Sequence, residues 1–397
     1  MTTYPAVRTD PAGSADPAGS TDPVVRTDPA VRGDAVVIED LGAFIIAGRV
    51  KPRPGTGPET SARTPRQGVQ DGVDAEAIGF RRVWLSERWN LKEAGALLGG
   101  VGARTERIGL ATGVIPPTAR HPLHAAALAS TMNAAYGPRF VLGLGRGDGG
   151  AIGARTGLRK YANRATEDYV GIIRALWRGE TVDYDGPAGE FGGLRMDDRH
   201  DGPDPEIWYG TFGMPRGATT AARCMDGVLL IPNLTPEATH ASVLRLREAC
   251  EKEGRDPASL RIAQCVITAP ELDDTETRQL CHARALTYLQ APGWGETLCA
   301  MNGWDPGMLA RIREHSQLKG HATLADNVFH RSELEEPARA VPDRWMDDSC
   351  AIGSVPECVD RLAAYRDAGA DEIVTYGSTP GQNAGLAKSW TRRSVSA

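Results

Sequence analysis

The chain has no basic excess, no long apolar run and no paired-cysteine motif, and each absence removes a class of function. Its 397 residues carry a formal net charge of −6. Gripping a polyphosphate backbone needs a concentrated basic face, so nucleic acid is not an expected partner. No stretch approaches the roughly 18 consecutive apolar residues of a membrane helix. The first residues lack the basic-then-apolar order of a secretory signal. The seven cysteines (224, 250, 265, 281, 299, 350 and 358) are scattered, odd in number and never spaced C-x-x-C. A disulfide framework or a zinc site is therefore not expected; the thiols read as small buried hydrophobes in a reducing cytoplasm. The eight histidines form no H-x-x-x-H pair beside an acid, so no metal is expected.

What is present is the composition of an ordinary globular protein, 41% apolar and 24% charged, with 46 Gly and 27 Pro to make many tight turns. Residues 1–34 are loose copies of Thr-Asp-Pro-Ala/Val and Asp-Pro-Ala-Gly-Ser. Such a segment buries too little apolar surface to offset chain entropy and reads as a disordered tail ahead of one domain over 35–397.

From Asp40 onward, short β-rich runs alternate with helical stretches. Strands are expected at 41–47, 82–86, 108–114, 139–144, 206–209, 226–231, 260–268 and 372–376, with helix-forming sequence between them. Thr235 followed by Pro236, and Gly79 and Gly369 at helix ends, are the expected capping chemistry. Strict β-α alternation implies a parallel sheet, and eight units are the number that closes a (β/α)8 TIM barrel. The surplus over a typical barrel lies mainly in 270–350, polar and helical with Trp294, Trp304 and Trp345. It reads as a mostly helical insertion after strand seven that covers the mouth.

A barrel of this kind works at its strand C-termini. Strand two exits into Ser86, Glu87, Arg88 and Trp89, a set able to orient a planar ring and handle a proton; an ion-paired, helix-leading loop explains them as well. Strand three exits at Gly113 and Val114, suited to a bulge beneath a flat ligand. Arg120 and His121 follow at a helix start, where His121 either donates to a cofactor carbonyl or caps the helix. Strand four exits into Gly145, Arg146, Gly147, Asp148, Gly149 and Gly150. Gly145, Gly147 and Gly150 match G-x-G-x-x-G, but no β-α-β unit with an acid about 20 positions onward follows, so a dinucleotide turn is rejected. The glycines instead let backbone approach a ligand, with Asp148 left facing the mouth. Strand five leads through Gly210, Thr211, Phe212 and Gly213 to Arg216 and Gly217, where free N–H groups and a positive helix end make an anion site. Asn233 and Thr235 add amide and hydroxyl groups after strand six.

Several runs together resemble a known family. Gly79-Phe-Arg-Arg-Val-Trp-Leu-Ser-Glu87, Thr105-Glu-Arg-Ile-Gly-Leu-Ala-Thr-Gly113, Tyr136-Gly-Pro-Arg-Phe-Val-Leu-Gly-Leu-Gly145, the Asp226-Gly-Val strand and the closing Ala368-Gly-Ala-Asp-Glu-Ile-Val strand are similar to the luciferase-like monooxygenase superfamily. They span about 38–380 apart from the 270–350 insertion. Within the superfamily the likeness is to the actinobacterial branch dependent on the deazaflavin coenzyme F-420, which includes glucose-6-phosphate dehydrogenases and methylene-tetrahydromethanopterin reductases. The resemblance implies a deazaflavin across the strand mouths, its ring on Gly113–Val114, where relatives hold a non-proline cis peptide, and its phosphate in the Gly210–Gly217 loop. The sequence also departs from the sugar-phosphate dehydrogenases. Glu87-Arg88 stands where they carry Asp-His, Asp148 where they carry glutamate, and Ala151 where they carry asparagine, so glucose 6-phosphate is not the expected substrate.

The expected activity is hydride transfer between F-420 and a small organic molecule. Glu87 or Asp148 would be the proton donor, its pKa raised by a closed apolar mouth, with Arg88 and His121 orienting ring or substrate. An FMN-dependent monooxygenase on the same barrel is the alternative and would need a separate reductase; a non-catalytic cofactor-binding barrel is a third. A lyase or isomerase working through a Schiff base lacks the barrel-mouth lysine. A homodimer is expected by analogy, with the Ala-rich 124–135 stretch either its face or packing against the barrel.

Overall fold

A computed structural model describes residues 36–46, 64–87, 92–146, 162–321 and 323–396. The tail at 1–34 lies outside them, as do Arg88, Gly147 and Asp148.

Eight parallel strands close into a barrel. In chain order they are β1 (Leu41–Phe44), β2 (Arg82–Leu85), β3 (Gly109–Thr112), β4 (Phe140–Leu144), β7 (Glu206–Thr211), β8 (Gly227–Leu230), β9 (Arg261–Pro270) and β11 (Glu372–Tyr376). Each pairs in parallel with its neighbours, β9 with β8 and β11, and β11 with β1. All eight lie at the expected places: β2, β3, β4 and β8 are a residue or two shorter at their ends, β1 stops three residues early, and β7 and β9 each run two residues further.

Two elements were not expected. Between β4 and β7 the chain makes an antiparallel hairpin, β5 (Val182–Gly186) and β6 (Gly189–Leu194). Its residues alternate between half-exposed and exposed and include four glycines, which leaves no hydrophobic run to read. Just past the surplus segment, β10 (Cys350–Gly353) pairs with Ile267–Pro270 of β9. At ten residues, β9 outruns the barrel and offers that extra edge.

Helices cover the outside: α1 (Pro65–Ile78), α2 (Ala94–Gly102), α3 (Pro122–Tyr136), α4 (Asn163–Trp177), α5 (Pro215–Cys224) and α6 (Pro236–Lys252). The insertion after β9 is mostly helical: α7 (Asp274–Leu280), α8 (His282–Leu289), α9 (Trp294–Asn302), α10 (Gly307–Arg313), α11 (Glu335–Ala338) and α12 (Asp343–Ser349). Then come α13 (Val355–Asp367) and α14 (Ala384–Ser396). Capping sets several of the starts. Thr64 and Gln67 form a capping box on α1, Thr235 caps α6 with Pro236 at its first position, and Ser354 and Glu357 box α13. Three of the six alanines of α3 lie inside the fold: Ala125, Ala126 and Ala129 are fully buried, and the Trp177 indole of α4 donates to the Ala126 carbonyl at 3.0 Å.

The barrel interior is filled by Phe44, Trp84, Ala111, Val141, Trp208, Leu229, Ala263, Cys265 and Val374, with the Trp84 and Trp208 rings 5.3 Å apart. Large rings from some strands fit against small residues from others, as a barrel core requires. Below this layer, the first residues of four strands carry charge. Glu372 is fully buried, with Arg82 at 3.4 Å and Arg81 and Arg261 each at 3.9 Å. Glu206 accepts from the Trp208 indole at 2.7 Å, and the Arg82 guanidinium lies 4.9 Å from the Trp208 ring centroid. Burial raises the pKa of the Glu372 carboxyl, against the pull of the three arginines. This cluster plugs the end away from the site.

Candidate functional site

At the strand C-termini the Gly113–Val114 peptide is cis, as the resemblance implied. Its surroundings hold it on three sides. The Gly113 amide donates to the Leu85 carbonyl at 2.8 Å, the Ser86 hydroxyl donates to the Gly113 carbonyl at 2.7 Å, and the Glu87 amide donates to the Val114 carbonyl at 3.3 Å. A methyl group on Gly113 would lie 2.7 Å from the Phe44 ring, so the peptide rests on that ring.

The glycines expected to admit a ligand have a different first task. A Cβ on Gly145 would lie 2.3 Å from one Val114 methyl, and a Cβ on Gly210 2.8 Å from the other. They house the Val114 side chain and so join the exits of β3, β4 and β7 into one wall. Tyr209, buried at the end of that wall, receives a hydrogen bond from exposed Arg146; burial raises the phenol's pKa although Arg146 works to lower it.

The loop after β7 is the expected anion site. Gly213 turns at φ +71°, where a side chain would meet Ser242, and its amide donates to the Thr211 hydroxyl at 3.2 Å. Helix α5 then begins at Pro215 with no side-chain cap. The first-turn N–H groups of Arg216 and Gly217 have no intrahelical partner, and the Arg216 side chain is exposed beside them. That donor set fits a phosphate. Asn233 is fully buried at φ 66°; its carbonyl accepts from Asn302 at 2.7 Å, while its own amide atoms meet no partner within the fold.

Glu87 and His121 are engaged structurally. One Glu87 oxygen accepts from the Ala94 amide at 2.8 Å and the other from Arg120 at 2.9 Å, while Arg120 also bonds Glu93. Both Glu87 oxygens therefore act as acceptors, the role of a brace rather than of a proton donor. Burial works to lower the pKa of Arg120, but Glu93 and Glu87 outweigh it and raise it. His121 caps α3, Nδ1 accepting from the Leu123 amide at 3.2 Å, which leaves the proton on Nε2. Phe191 of the unforeseen hairpin packs edge-on to its ring at 4.9 Å. Burial and His124 lower the His121 pKa.

Other residues at this end were missed because the exits of strands one, seven and eight were not read. Tyr376 ends β11 and meets Phe44 edge-on at 4.8 Å. From the insertion, Tyr288 lies beside Tyr376, and the Arg284 guanidinium lies 5.2 Å from the Tyr376 centroid and 2.6 Å from Asp326. Trp294 packs on Tyr288 at 5.6 Å and on Phe212 at 5.0 Å. Aromatic residues of the insertion thus meet the strand exits at Phe212 and Tyr376.

The family described as luciferase-like monooxygenase matches residues 44–372. The chain is 31% identical over 333 residues to an F-420-dependent glucose-6-phosphate dehydrogenase of Mycolicibacterium fortuitum, covering 79% of this chain and 88% of that protein. It is 26% identical over 309 residues to a 5,10-methylenetetrahydromethanopterin reductase of Methanolobus tindarius, covering 78% and 89%. Among solved structures, the coenzyme F-420-dependent tetrahydromethanopterin reductase of Methanopyrus kandleri superposes with a TM-score of 0.74 at 18% identity, over 90% of this chain and 99% of that one.

Proposed function

The chain belongs to the luciferase-like monooxygenase family, and from that premise we propose that it is an oxidoreductase that binds coenzyme F-420 and works on a small organic molecule. The observation that carries the reading is the adjacency of two features. The uncapped, Arg216-bearing start of α5 follows directly on Gly210, and Gly210 walls in Val114 of the peptide that rests on Phe44. A phosphate-bearing planar ring needs these two supports side by side.

Bound there, F-420 supplies a two-electron hydride couple. The protein's own part is to hold and to order. Arg216 and the first-turn amides of α5 take the phosphate, and Gly113 and Val114 back the ring. Ser86 fixes the Gly113 carbonyl, and the Glu87–Arg120–Glu93 bridge ties the exit of β2 to the starts of α2 and α3. His121 offers Nε2–H toward the ring or substrate. The proton donor of the reading is Asp148, outside the described residues, because Glu87 is occupied. The reading includes a cytoplasmic homodimer, in which the seven free thiols stay reduced.

The test is an equilibrium titration with F-420 and with FMN. F-420 should bind at least about tenfold tighter, and FMN binding tightly where F-420 does not would overturn the proposal. In the same titration Arg216→Ala should weaken F-420 by about ten- to a hundredfold, the worth of one charge-assisted hydrogen bond. The loss should shrink at high salt, and an unchanged affinity would remove Arg216 from the phosphate site.

A further inference from the structure

We propose that the substrate of this site is an uncharged planar molecule, an aromatic or conjugated carbonyl compound, held against ring faces supplied by the insertion; the inference rests on the oxidoreductase reading above. Phe212, Trp294, Tyr288 and Tyr376 come from three separate parts of the chain and touch in sequence, and Phe44 continues the row to Gly113. The four are only partly buried, although they stand over a sealed barrel core. Partly bare ring faces gathered at a strand mouth suit a flat, apolar ligand, because ring pairs gain beyond simple area burial.

The charge pattern narrows the class. Arg284 is the cation built into this wall, and it is already neutralised: its guanidinium bonds Asp326 at 2.6 Å, with the two side chains 19% and 16% exposed. A phosphate or carboxylate set here would lose its water and meet a balanced ion pair instead of a free cation, which is costly. One polar atom is provided for. Burial, with Tyr376 beside it, holds Tyr288 in its protonated form, and its hydroxyl offers a hydrogen bond suited to a carbonyl oxygen.

The test uses the protein loaded with oxidised F-420 and calorimetric titration with three probes: 2-acetonaphthone (neutral and planar), 2-naphthoate (its planar anionic counterpart) and glucose 6-phosphate. The ketone should bind at least about tenfold tighter than the carboxylate, and the sugar phosphate should give no heat. Trp294→Ala should weaken the ketone about tenfold, as loss of one ring contact implies. Asp326→Asn unmasks Arg284 and should raise naphthoate affinity about tenfold while leaving the ketone unchanged. Equal or tighter binding of naphthoate or glucose 6-phosphate by the unaltered protein overturns the inference. So does ketone binding that Trp294→Ala leaves unchanged, or naphthoate binding that Asp326→Asn leaves unchanged. Titration of the same proteins with F-420 separates the two readings. If F-420 fails to bind, the proposed function falls; if it binds and the probes disobey, only the substrate class falls.

Discussion

Replacing Glu372 with alanine is expected to lower the unfolding free energy by about 3–5 kcal/mol, the usual cost of removing one partner from a buried ion pair. Glu372 has no exposure, and its carboxylate stands among Arg82, Arg81 and Arg261 at 3.4–3.9 Å. Without it, Arg82, itself buried at the barrel floor, keeps only Glu206 at 4.0 Å as a counter-charge. Burial lowers the Arg82 pKa, a mark of how poorly that site tolerates an uncompensated cation. The cause can be separated from simple loss of volume. The double variant Arg82→Met/Glu372→Leu removes both charges and fills the space, so it should lose far less than the two single changes added together. Denaturant unfolding of the unaltered protein, Glu372→Ala, Arg82→Met, Glu372→Leu and the double variant measures this. A Glu372→Ala loss under about 1 kcal/mol, or strict additivity in the cycle, would remove the cluster as a determinant of stability.

That floor was written in the sequence as strand starts, but nothing in a linear pattern says that Arg82, Glu206, Arg261 and Glu372 face one another across a closed tube. The barrel itself was legible because its code is local: β-branched and leucine-rich runs, each followed by helix-forming sequence with glycine or proline at the joints. Of the candidate site, the positions of the proposed cradle were legible for the same reason. Gly113, Val114 and the Gly210–Gly217 loop sit at strand exits whose chemistry can be read one loop at a time. The roles of Glu87, Gly145 and Gly210 were not legible, because each depends on a partner far along the chain: Arg120, 33 residues away from Glu87, and Val114 for the two glycines. The aromatic wall was hidden differently. Tyr376 was placed on its strand and then passed over, and the insertion's rings gained meaning only when α8 and α9 folded back over β11.

Gly145→Ala is expected to cost about 1–3 kcal/mol of stability and to weaken F-420 binding by about ten- to a hundredfold. The added methyl would lie 2.3 Å from a Val114 methyl, far inside van der Waals contact. Val114 has little room to yield: being β-branched it has few χ1 options, and its other methyl already fills the space left by Gly210. The valine backbone must therefore shift, and with it the surface on which the ring is proposed to lie. Val114→Ala in the same chain offers relief, because the new methyl then faces only a Cβ at 3.2 Å, a gap a few tenths of an ångström can ease. The double variant should recover most of both losses, giving a favourable coupling of about 1–2 kcal/mol between two residues 31 positions apart. Thermal unfolding reports the first quantity and cofactor fluorescence the second. If Gly145→Ala binds F-420 as the unaltered protein does, the cradle is not where the ring rests. If stability recovers in the double variant while affinity does not, Val114 is packing alone and the ring-bearing surface must be sought elsewhere on the rim.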